Sequence, residues 1–308
     1  MRLSSIVACI AISPLLLGAS EPLRLQPSSQ WVVDYADNSC RLIRMFGEGD
    51  NQTKLALESI APGNMTMVVF GKPIRSPFGE GDVSARLVPV EEGAFVGSAE
   101  KAENGEPAAF WTRVPLLQFD PQDLPDFLLD AKDKPPPRSK TRPAAIDFAR
   151  RSALEAERQT LLSKATEIEI MAQHAPPVIL ETGSMAAPMK AFDQCERDLL
   201  HDLGLDPEVQ DKIARPLWVP DITRWISGYD YPRNMAMLGD ESKVSVRLIV
   251  DAAGKVTKCT ALSDYNAPEF NTAVCNALSR AIFQPAELAD GTKVPSYYTA
   301  PVIFRMGN

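Results

Sequence analysis

The side chains best suited to chemistry in this sequence are five cysteines and two histidines. Cys40, Cys195, Cys259 and Cys275 form no CxxC pair and no zinc-ligand spacing, so they read as disulfide partners in an oxidising compartment. His201 falls on a predicted helix beside Asp198 and Asp202, where it is a solvated charge. His174 falls at the predicted end of another helix, where a cation is favoured by the helix dipole. The pentapeptide FGEGD occurs twice, at Phe46 and Phe78. Neither copy continues to GK[ST], and each carries Glu and Asp, which repel phosphate; both read as turns feeding strands. With no GxSxG, HExxH or nucleotide loop, the chain reads as a non-enzyme without cofactor or metal. A net charge of −8 excludes a nucleic-acid partner, because binding phosphate needs a basic face.

Compartment follows from the N-terminus, "MRLSSIVACIAISPLLLGASEP". Arg2 is a positive start, Ile6 to Leu17 an apolar run, and "GAS" a small-residue cleavage site after Ala19 or Ser20. This is the layout of a signal peptide, and Cys9 leaves with it. A soluble periplasmic protein is expected, with no strong membrane anchor once residues 1–20 are removed. The alternative is an inner-membrane anchor through residues 3–19. That run is shorter than the roughly 20 residues a span requires, and it holds Ser13 and Pro14.

The elements that would position these groups give an α+β fold. Residues 21–131 read as an antiparallel β-rich domain. "WVVDY", "CRLIRMF", "TKLALES", "MTMVVF" and "VSARLVPV" alternate between turn-forming stretches. "KDKPPPRSKTRP" over 132–143 is a Pro-rich linker, since three consecutive prolines fit neither a helix interior nor a central strand. Residues 144–204 read as a helical extension packed on the first domain. Its first helix is drawn through to His174, and its second places Phe192, Cys195, Leu199 and Leu203 on one face before Gly204. Residues 205–228 are a second linker, and 229–308 a small terminal domain.

In that last domain Val244, Val246, Leu248 and Val250 alternate with Lys243, Ser245 and Arg247, a strand buried on one face. "DAAG", from Asp251 to Gly254, turns the chain into "KVTKCTALS". Pro268 then opens a helix whose apolar face is Phe270, Val274, Ala277, Leu278 and Ala281, and Pro285 stops it. A helix lying across its own hairpin brings Cys259 to Cys275. Pairing Cys40 with Cys195 as well keeps each bridge within one domain. A final strand, Lys293 to Arg305, carries Pro295 and Pro301, which suit an edge.

At this point the sequence resembles a known family. Tyr231 and Pro232, "VD..G.V" through Asp251 and Gly254, "F.PA...DG..V" through Phe283, Pro285, Asp290 and Gly291, and the closing "PVIF" are similar to the C-terminal domain of TonB. TonB is the energy transducer that grips outer-membrane transporters in Gram-negative bacteria. The architecture also resembles exported TonB-domain proteins of alphaproteobacterial type. The resemblance implies a terminal strand that offers its edge to an extended partner segment, framed by Lys293, Tyr297, Tyr298, Val302 and Phe304. The implied partner is an envelope protein such as the N-terminal segment of a TonB-dependent receptor, in the service of transmembrane transport. Two departures stand out: "WISGYD" replaces the Gln expected before the Tyr-Pro pair, and no Ser…His pair marks the N-terminal apolar segment. A structural or regulatory envelope module without energy transduction is therefore the alternative, and a periplasmic hydrolase with its site in the first domain is the third reading.

Overall fold

A computed structural model describes residues 21–74, 81–90, 94–101, 105–111, 114, 142, 145–219, 221–263 and 268–306. The signal segment, the second copy of FGEGD up to Glu80, and the Pro-rich linker apart from Arg142 lie outside the described residues. Strands and helices are both abundant, in keeping with the α+β expectation.

The first part of the chain builds β1 (Leu23–Leu25), β2 (Val32–Ala36), β3 (Ser39–Phe46), β4 (Thr53–Ala61), β5 (Asn64–Phe70), β6 (Gly81–Val88), β7 (Phe95–Lys101) and β8 (Pro107–Trp111). Period-two patterning decides the inner face of each. Leu55 and Leu57 of β4 are fully buried while Lys54 and Glu58 point outward; Val83, Ala85 and Leu87 do the same on β6. Then follow α1 (Phe148–Lys164), β9 (Glu167–Ala172), β10 (Val178–Leu180) and α2 (Ala186–Asp202). The strands form one ten-stranded sheet in the order β1-β10-β9-β6-β7-β8-β5-β4-β3-β2. Beyond β1 the chain runs onto β3: Ser28 N donates to Met45 O at 2.9 Å and Gly47 N to Gln26 O at 2.8 Å. The two ends of the sheet thus meet and it curls closed, which removes most of its unpaired edge.

The predicted helix over 144–174 differs from the structure. The helix ends at Lys164, and "EIEIMA" is a strand of the large sheet. Glu167 and Glu169 alternate with Ile168 and Ile170, a period of two that outweighs the helix propensity of Glu and Ala once β6 lies alongside. His174 accordingly sits in a turn after β9 with φ 59°, and not at a helix end. The extension read as purely helical therefore contributes β9 and β10 to the sheet it packs on.

Helix α2 lies over β2, β3 and β4 and turns Met189, Phe192, Cys195 and Leu199 into the core. Cys40 shares a strand face with Leu42 and Phe46, and its disulfide to Cys195 fastens α2 on the core side, with Cα atoms 6.0 Å apart. Asp147 caps α1 by accepting from Ala149 N and Arg150 N. Buried Arg158 joins the two helices through Asp193, at 3.0 and 3.1 Å.

The remainder forms α3 (Pro207–Asp211), β11 (Ile213–Arg215), α4 (Arg233–Leu238), β12 (Ser242–Val250), β13 (Val256–Ser263), α5 (Pro268–Leu278), β14 (Ala286–Leu288), β15 (Lys293–Val294) and β16 (Ser296–Phe304). These strands make two three-stranded sheets, β13-β12-β16 and β11-β14-β15. The stretch 205–228, read as a linker, thus supplies β11 to the second of them. Val244, Val246, Leu248 and Val250 pack under Phe270, Val274 and Leu278 of α5. The Cys259–Cys275 disulfide ties β13 to α5, with Cα atoms 5.6 Å apart.

Candidate binding edge on the C-terminal sheet

Four local structures bring the terminal strand to its place. At the hairpin, the Asp251 carboxylate accepts from Ala253 N and Lys255 N, both at 2.9 Å, and closes the turn on itself. Gly254 has φ +83°, and a Cβ there would stand 2.0 Å from the carbonyl oxygen of Phe283, so no other residue fits. Gly254 O in turn accepts from Phe283 N at 2.9 Å, which tethers the chain after α5 to the hairpin. Tyr231 lays its ring edge-on against Phe270 and Phe304 and donates its hydroxyl to Asp240 O at 2.6 Å. Pro232 then starts α4. Past β14, Asp290 accepts from Thr292 N, and this backbone hydrogen bond holds its carboxyl below the usual range. Gly291 follows with φ +86°, donates to Leu288 O, and completes the turn.

The ribbon read as one strand from Lys293 to Arg305 is two strands in two sheets. Lys293 pairs with Glu287 of β14, and only from Ser296 does the chain join β12. Pro295 stands at the break: it supplies no N–H and fixes φ, so the ladder restarts after it. From there β16 pairs with β12 over nine consecutive positions, Val250↔Ser296 through Ser242↔Phe304. It is the last strand in its sheet, and no strand pairs with its outer flank among the described residues.

The side chains expected to frame this edge are distributed differently. Phe304 is buried between Tyr231 and Phe270, and half-buried Tyr298 lies tilted against Phe283 with ring centroids 5.1 Å apart; both face α5 and serve the core, with half-buried Val302 packed against it. Tyr297 faces the other way and is buried against the first part of the chain, its hydroxyl donating to Pro62 O at 3.3 Å. The outward groups are Pro301 and Ile303, the latter 54% exposed. The register explains this division. Even-numbered residues of β16 lie opposite the inward valines of β12, and odd-numbered ones share the face of Arg247 and Ile249.

That second face is where sequence reasoning missed the most. Ile249 and Tyr297 pack with Ala61, Leu200 and Leu205. Gln210 of α3 donates to Pro295 O at 3.0 Å and accepts from Ser296 Oγ at 2.7 Å. Arg142, the described residue of the Pro-rich stretch, pairs with Glu287 at 2.9 Å and donates to Pro285 O at 2.6 Å. The guanidinium holds the Glu287 carboxyl below its ordinary range. Asp211 takes Arg151 and Arg197 at 3.3 and 2.7 Å. In the sequence these are unremarkable polar residues; no local signal marks them as contacts.

His201 is a surface residue 4.0 Å from Asp202, and no group of three or more His, Cys, Asp or Glu side chains could hold a metal among the described residues. No helix among them is long and apolar enough to cross a membrane.

Residues 228–306 match the family model described as the Gram-negative bacterial TonB protein C-terminal. That is an envelope family which works with outer-membrane receptors in energy transduction and transport. No curated protein matches the chain.

Proposed function

We propose that this chain, whose C-terminal segment belongs to the TonB C-terminal domain family, is a periplasmic protein that binds an extended segment of another envelope protein along β16. The single observation that carries the reading is the strand order: β16 is paired with β12 on one flank and ends the sheet on the other. A peptide backbone added there gains main-chain hydrogen bonds, and its alternate side chains meet Pro301 and Ile303 on one face. The partner of this chemistry is the N-terminal segment of a TonB-dependent outer-membrane receptor.

Capture of synthetic receptor N-terminal peptides tests this. The wild-type protein is expected to retain them, and Ile303→Glu to weaken retention about fivefold, the effect of roughly 1 kcal/mol from one lost cross-strand pair. No retention of any peptide, with retention by a TonB control, removes the proposal. A second reading, an envelope module without energy transduction, draws on the contacts of Arg142, Gln210 and Tyr297, which hold the C-terminal sheets against the rest of the chain. The same capture separates the two, since a module that has lost receptor binding retains none of the peptides.

A further inference from the structure

Between the closed sheet and the C-terminal sheet lies a charge with no counter-ion among the described residues. Arg247 is on the β12 face turned away from α5 and is 1% exposed. Its Nη1 donates to Asn38 O at 3.0 Å and to Ile60 O. Its Nη2 reaches Asn38 Oδ1 at 3.3 Å and Thr260 Oγ1 at 3.5 Å. Nε has no partner among the described residues. Every acceptor is neutral, and burial pulls the guanidinium pKa down to about 10, still charged at neutral pH. Asn38 lies at the tip of the β2–β3 hairpin and Ile60 beside the tip of β4–β5.

Neutral carbonyls return only part of the hydration a guanidinium gives up on burial. Separation of the two sheets would give that hydration back, so these hydrogen bonds hold the contact more weakly than a guanidinium–carboxylate pair would. No disulfide spans it: Cys40–Cys195 lies within the closed sheet and α2, Cys259–Cys275 within β13 and α5. The apolar patch beside it is small, Ala61, Leu200, Leu205, Ile249 and Tyr297. The other side of the junction is built differently. There Arg142 meets Glu287, and Asp211 meets Arg151 and Arg197, each cation with a carboxylate. The paired side is suited to act as a pivot and the unpaired side to part.

We propose that Arg247 is a latch that holds the C-terminal sheet against the two hairpin tips, and that its release frees the start of β16. In the latched state Ser296 and Tyr297 are buried and Gln210 occupies Pro295 O, so a partner meets β16 only from about Thr299 onward. Unlatched, the whole strand is open. The latch stands by itself; only its effect on a partner rests on the strand-addition reading.

Amide hydrogen exchange on the full chain, with both disulfides intact, tests it. Asn38→Asp places a carboxylate where Asn38 Oδ1 now meets Nη2. Exchange at residues 59–61 and 296–298 is expected to slow at least threefold. Arg247→Glu sets a carboxylate against the same carbonyls and is expected to speed exchange there at least tenfold, with the segment of α5 unchanged. Unchanged or faster exchange in Asn38→Asp overturns the latch, and that variant decides alone if Arg247→Glu does not fold. Synthetic receptor N-terminal peptides then report the consequence: weaker capture by Asn38→Asp than by wild type is expected. Equal capture, with exchange slowed, removes the effect on β16. Slowed exchange with no capture by any form leaves the latch standing and sinks the strand-addition reading.

Discussion

Each half of the molecule carries a disulfide and a buried arginine, and the two sets work differently. In the large sheet Cys40 and Cys195 are 155 residues apart, and Arg158 meets the carboxylates of Asp193 and Glu155. In the C-terminal sheet Cys259 and Cys275 are 16 apart, and among the described residues Arg247 meets only carbonyl, amide and hydroxyl oxygens. The large sheet curls until its ends meet and is finished within the chain. The small one ends at β16 among the described residues and needs its short staple because three strands and one helix bury little. Closure stabilises the first half; the second keeps an edge and a charge held by neutral oxygens.

This contrast can be broken from either side, and the largest effect belongs to the long-range staple. Replacing Cys40 and Cys195 together by Ala is expected to cost about 5 kcal/mol in the chain-entropy model, read as a lowered urea midpoint of the large sheet. Phe270→Ala empties the centre of the small core and is expected to cost about 4 kcal/mol. Pulse proteolysis should then cut the C-terminal segment while β3 to β5 stay protected; simultaneous cleavage of both would mean one cooperative unit. Removing Cys259 and Cys275 comes next at about 3 kcal/mol, confined to the same segment. Gly254→Ala is expected to cost about 2 kcal/mol, because φ is positive and Phe283 O blocks the new methyl. Gly49→Ala, positive in φ but facing open space, is expected to cost about 1 kcal/mol. Equal losses at the two glycines would show that the close approach to Phe283 adds nothing beyond backbone strain.

Legibility followed the range of the interaction. The β3, β4, β5, β6 and β12 strands were readable because period-two burial is written in consecutive residues. The α2 face through Phe192, Cys195 and Leu199 was readable for the same reason at helical spacing. "EIEIMA" reads as helix when the helical composition before it carries the pattern forward, although its own alternation points to the strand that β6 pairs. The two-sheet division at Pro295 was half visible: the proline marked an edge, but the partner of Lys293 depends on where β14 comes to lie.

By itself the sequence determined which residues turn, which alternate, and that Cys40, Cys195, Cys259 and Cys275 would pair. It also determined that the C-terminal strand and helix would form one stapled unit, since these contacts join near neighbours. Only the tertiary structure decided that the large sheet closes through Gln26 to Ser28, that Tyr297 is covered by Pro62, and that Arg247 is buried against the carbonyls of Asn38 and Ile60. Periodicity assigns a residue to a face but says nothing about what will cover that face. That depends on contacts across some two hundred residues of chain, such as Asn38 with Arg247, a separation of 209.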